Sequence, residues 1–129
     1  MTKAAARRAE DARRLERRAG VMKALAHVSR LRMVDALSSG ERCVCDLQEL
    51  VGADLSTVSK HLSILKAAGV VLSEKRGQQV FYRLRVPCLL SFFPCVDAVF
   101  EDPDSDVVEL RPPVGPAARS CGRESSRPR

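Results

Sequence analysis

Five cysteines and two histidines are the side chains in this sequence with the chemistry to hold a soft ion. Cys43 and Cys45 stand two positions apart in ERCVCDLQEL, residues 41–50, where a helix is about to begin. Free cysteine is among the most buried residue types, so the two could simply be small apolar residues. They could equally form a thiolate pair, because As(III), Cd(II) and Pb(II) all favour sulfur. Two sulfurs on one ion must approach to roughly 3.5–4 Å if each bond is about 2.3 Å. Residues two apart on a regular helix point about 200° away from each other. In extended backbone they share a face. Chelation by Cys43 and Cys45 therefore requires the start of this helix to be non-helical. Cys88 and Cys95 are seven apart and would lie about 10.5 Å from each other on an unbroken helix, so one of them, not both, is the candidate third ligand; the plainer reading puts each in a dimer interface among Leu89, Phe92 and Phe93. Cys121 lies in the tail and reads as a spectator. His27 reads as a plain surface or core histidine. Asp97 has no histidine near it, which leaves a zinc site on the last helix without support.

The elements that must position these residues follow from apolar spacing. Residues 1–19, rich in Ala and Arg, form a basic helix or arm with few apolar anchors. Met22, Leu25 and Ala26 then mark a buried stripe. Ser29 predicts the N-cap of a second helix, with Leu31, Val34 and Leu37 inward and Gly40 at its end. A short third helix covers 43–51 through Leu47 and Leu50 and stops at Gly52. Asp54 or Ser56 caps the next helix, whose Leu55, Val58, Leu62 and Leu65 face inward. Its other face offers Ser56, Thr57, Ser59, Lys60 and Ser63. VVLSEKR and QQVFYRLRV, split by Gly77, predict a hairpin. From Pro87 towards Phe100 runs a last helical segment that Pro94 must kink or restart, since proline cannot donate to the Leu90 carbonyl. Five of the seven prolines fall after residue 102, so 102–129 reads as a disordered tail.

The order of elements is that of a winged helix-turn-helix: mainly α, with a small β-hairpin, over residues 20–101. Its turn is Gly52–Asp54. Residues 55–67 would be the recognition helix in the major groove, with Ser56, Thr57, Ser59 and Lys60 towards DNA, and His61 either facing DNA with them or capping the packing of the helix, the first reading being preferred. Lys75, Arg76, Gly77, Gln78 and Gln79 would form the wing tip. Charge agrees. The net charge is +6, and residues 55–85 hold Lys60, Lys66, Lys75, Arg76, Arg83 and Arg85 against Glu74 alone, a footprint that phosphate selects. No apolar run is long enough to span a membrane, and the N-terminus has no apolar secretory core, which places the chain in the cytoplasm with reduced thiols. An enzyme is not expected: there is no Ser/His/Asp set and no phosphate-cradling glycine loop.

ALAHVSRLRMVDAL, ERCVCDLQELVG, LSTVSKHLSILKAAGVV and GQQVFYRL together resemble the arsenic- and metal-responsive repressors of the ArsR/SmtB family. The resemblance covers about residues 20–100, and CVCDL resembles its thiolate-sensing branch of arsenite and cadmium/lead sensors. It implies a homodimer that blocks an operator when metal-free and leaves double-stranded DNA when a thiophilic ion binds. As(III) is the leading effector, with Sb(III) and organoarsenicals beside it. The alternatives are a Cd(II)/Pb(II) sensor, a thiol redox sensor, and a metal-blind winged helix with structural cysteines. Two departures matter: Gln48 stands where the arsenite branch commonly has a third cysteine, and residues 1–42 lack the cysteines of the cadmium/lead branch. Cys43 and Cys45 are thus the assigned ligands, with Cys95 or Cys88 as the possible third.

Overall fold

A computed structural model describes residues 2–101 and 103–104. Residues 105–129 of the expected tail, with Cys121, lie outside the described residues. The chain divides between Arg85 and Val86 into two units.

In the first unit, α1 (Lys3–Leu25) begins where the Thr2 hydroxyl accepts the Ala5 N–H at 3.1 Å, and it runs uninterrupted past residue 19. Its buried residues are Ala24 and Leu25, whereas Met22, expected inside, is 46% exposed. The helix meets the core only with its last turn, so the stripe lies one residue round from where spacing put it. For α2 (Val28–Leu37) the cap is His27, not Ser29. The extended backbone of His27 suits an N-cap, and its Nδ1 accepts the Ser29 N–H at 3.0 Å. Met33, Val34 and Leu37 fill the core, while Leu31 stays exposed.

A two-residue strand, β1 (Arg42–Cys43), comes next and was not legible in the sequence. α3 (Val44–Val51) follows it directly and ends at Gly52, whose φ of 72° is the left-handed conformation that stops helices. α4 (Leu55–Ala67) buries Val58, Leu62 and Leu65. Leu55 is 53% exposed, a correction to its expected inward face, because the first helical position overhangs the turn rather than the core.

β2 (Val71–Arg76) and β3 (Gln79–Leu84) pair antiparallel with Arg76 opposite Gln79, leaving Gly77–Gln78 as the loop. Gly77 has φ 64°, and among the described residues no non-glycine residue has positive φ, the pattern of a II′ turn with glycine first. Arg42 and Cys43 pair with Tyr82 and Phe81, completing a sheet of order β1-β3-β2. Val71 and Leu84 turn to the core.

The second unit holds a 3-10 helix, Pro87–Phe92, and α5 (Phe93–Glu101). Pro94 restarts the helix as expected, sitting in the first turn of α5, where a missing N–H costs nothing. Val96, Val99 and Phe100 are 43%, 59% and 79% exposed. Among the described residues no helix is long and apolar enough to cross a membrane.

Candidate thiolate site and nucleic-acid interface

Cys43 and Cys45 straddle the change from strand to helix. Cys43 is extended (φ −80°, ψ 163°), half-buried, and N-caps α3 without any side-chain capping hydrogen bond. Cys45 is exposed at the second helical position. The non-helical backbone that chelation needs is therefore present at Cys43 and absent at Cys45. Cys95 carries a free thiol and is exposed on α5. Cys88 is disulfide-bonded, unlike the reduced thiol expected, so it offers no thiolate in this state. Among the described residues no three Cys, His, Asp or Glu side chains converge on one point.

Cys43 also belongs to the sheet of the wing. Residues directly opposite each other in a sheet project from the same face. The pairings Cys43↔Phe81 and Glu74↔Phe81 therefore line up Cys43, Phe81 and Glu74 in one row across the three strands. Arg42, Tyr82 and Ser73 form the next row, on the core side. There burial pushes the Tyr82 hydroxyl pKa up.

On the outer face the guanidinium of Arg76 lies over the Phe81 ring, 4.8 Å from its centroid. Its two terminal nitrogens donate to the Glu41 carboxylate at 2.6 and 2.8 Å, and one also donates to Glu74 at 2.9 Å. Glu74 and Glu41 hold the Arg76 pKa above its already high ordinary value, and Arg76 in turn lowers that of Glu74. Arg76 was expected on a DNA phosphate, yet in this state it is engaged by carboxylates. Glu41 escaped sequence reasoning because its partner is 35 residues away. The exposed cation and polar groups left at the wing tip are Lys75, Gln78 and Gln79.

On α4, Asp54 is the N-cap. Its carboxylate accepts the Ser56 hydroxyl, the Thr57 hydroxyl at 2.7 Å and the Thr57 N–H at 3.2 Å. These bonds, Ser56 first, hold its carboxyl well below the usual carboxylate range. Ser56 and Thr57 thus spend their hydroxyl hydrogens on the cap and keep only lone pairs for a base edge. Ser59, Lys60 and Ser63 are exposed.

His61 does not join them on the exposed face. Its ring lies 4.5 Å from that of His27, and Arg30 reaches its Nδ1 at 3.2 Å. Arg30 is itself anchored on the Ala24 carbonyl at 2.5 Å. Position 61 is one before the buried Leu62, so the ring follows the core side of the helix and packs on the α1–α2 junction. Burial first, then His27 and Arg30, lower the pKa of His61.

The model of the bacterial regulatory protein, arsR family, matches residues 27–73. Nodulation protein NolR of Rhizobium meliloti is 33% identical over 100 residues, covering 78% of this chain and 81% of NolR. The chain belongs to the arsR family. The cadmium resistance transcriptional regulatory protein CadC of Listeria innocua is 42% identical over 67 residues, 51% of this chain and 56% of CadC. The chain thus spans about half the length of several curated relatives it matches. Among solved structures it is similar to the homodimeric winged helix-turn-helix DNA-binding domain of Mb0332 from Mycobacterium bovis, a possible ArsR-family transcriptional regulator. That likeness has a TM-score of 0.63 at 31% identity, over 78% of this chain and 94% of that one. As a family member this chain has the winged helix-turn-helix fold; of the proteins named here, CadC is a transcriptional regulatory protein and Mb0332 a possible transcriptional regulator.

Proposed function

We propose that this protein is a homodimeric repressor that leaves its operator DNA when a thiophilic ion, As(III) first, is taken by Cys43 and Cys45. The observation that carries the reading is the position of Cys43: an uncommitted sulfur at the strand-to-helix junction, with Cys45 next but one, immediately before the helix-turn-helix. To bring both sulfurs onto one ion, the first turn of α3 must open, because residues two apart on a helix diverge. α3 leads straight into the turn that sets α4, so the ion selects a conformation that fits the groove less well. Ser59, Lys60 and Ser63 face DNA from α4, with Ser56 and Thr57 as acceptors, and Lys75 and Gln78 from the wing. The homodimeric state of Mb0332 supports dimerisation, as do the exposed Val96, Val99 and Phe100, which a partner copy would cover. A third sulfur would come from Cys95, or from Cys88 once reduced.

Cd(II) or Pb(II) is the second reading, favoured by the likeness to a cadmium resistance regulator. The test is a titration of the reduced protein on duplex DNA from upstream of its own gene, with As(III), Sb(III), Cd(II), Pb(II), Zn(II) and peroxide. As(III) is expected to weaken binding by about 5–150-fold, the usual span of allosteric coupling. Cys43→Ser and Cys45→Ser each keep DNA binding and lose that release. Normal As(III) release by the double variant overturns the site, and release by Cd(II) or peroxide alone reassigns the effector.

A further inference from the structure

Cys43 and the wing share more than a sheet. Phe81 is the cross-strand neighbour of Cys43, and the same ring carries the guanidinium of Arg76. Two residues before Cys43, the Glu41 carboxylate takes both terminal nitrogens of that guanidinium, at 2.6 and 2.8 Å. A bidentate pair of this kind fixes direction as well as distance. The tip of β2 is therefore tied to the chain segment that leads into the thiolate site. β1 itself is only two residues long, Arg42–Cys43, so little else keeps this segment on β3.

We infer that Glu41 is a positioning residue that couples the thiolate site to the wing through Arg76. This presupposes the ion-released repressor proposed above and names how release reaches the DNA. An ion that draws Cys43 towards Cys45 pulls β1 from β3 and carries Glu41 off Arg76. The wing then loses the contact that fixes its tip. Glu41 becomes an uncompensated anion beside a surface meant for phosphate. Both changes weaken DNA binding, and neither requires the ion to touch α4. The pair is half-exposed, with side-chain exposures of 46% for Arg76 and 29% for Glu41, so its role lies in geometry rather than in stability.

The experiment compares wild type, Glu41→Gln, Arg76→Gln and the double variant on one labelled duplex, each with and without As(III). Absorbance of the arsenic–sulfur bonds checks that every variant still binds the ion. The wild type is expected to lose about 5–150-fold in DNA affinity with As(III). For Glu41→Gln the factor falls close to one although As(III) binds as before, and Arg76→Gln does the same. In the Arg76→Gln background, adding Glu41→Gln leaves the release factor where it is, since the two act as one unit in the coupling. Release by Glu41→Gln at the wild-type factor overturns the coupling. So does a change in the release factor by Glu41→Gln that persists without Arg76. A wild type that keeps its DNA in As(III) instead sinks the proposed function, which separates the two failures.

Discussion

At the scale of single residues, His61 makes the sharpest departure from a reading of helix faces. It sits among Ser59, Lys60 and Ser63, yet its ring is turned to His27 and to the cation of Arg30. A proton on this ring is disfavoured by burial and by its two neighbours, so its pKa lies below the ordinary 6.5. The folded state thus prefers the neutral ring. The stability it contributes is present above pH 6.5 and is lost as pH falls below that value. Urea unfolding of the wild type should weaken between pH 7 and pH 5, and His61→Gln should flatten that limb. Equal slopes in the two proteins would remove His61 as its source. Because His61 lies on the inner side of α4, the acid limb also reports on how firmly the recognition helix is seated.

At the scale of elements, the same linkage acts further down the acid side of the pH range. Asp54 caps α4 with three hydrogen bonds from Ser56 and Thr57. Its carboxyl is held below the ordinary 3.8, so its contribution is complete above that value and fades as pH falls beneath it. Asp54→Asn keeps a capping side chain but removes the charge. It should lower the melting temperature at pH 7 and show a smaller further loss on acidification than the wild type. An unchanged acid limb would assign it to other carboxylates. Such features were legible because they are local: the Asp54 cap, the Gly52 and Gly77 turns and the Pro94 restart each depend on a few consecutive residues. β1 was not legible, since two residues have no periodicity and their partners, Phe81 and Tyr82, are far along the chain. For the same reason Arg76 read as a free cation. Met22 and Leu55 were placed inside by spacing alone, which gives the period of a helix face but not its rotation against neighbours.

At the scale of the whole molecule, the strand-to-helix junction at Cys43 has a consequence for folding itself. A ligand stabilises a protein only to the extent that it binds the native state better than the unfolded one; at one hundred times its dissociation constant a native-only ligand contributes about 2.7 kcal/mol. Cys43 and Cys45 are neighbours in the chain whether or not it is folded, and an unfolded backbone readily adopts the extended geometry that brings both sulfurs to one face. The denatured chain therefore competes for the ion on nearly equal terms, while the native chain must first open a helical turn. As(III) held by this pair alone should leave the melting temperature almost unmoved, where a native-only site would raise it by roughly 4–8 °C for each kcal/mol. A rise of that size would mean that a sulfur distant in sequence has joined, and either Cys95→Ser or, in the reduced protein, Cys88→Ser should abolish it. With two ligands the ion acts as a wedge in the native structure, and only a third would make it a staple.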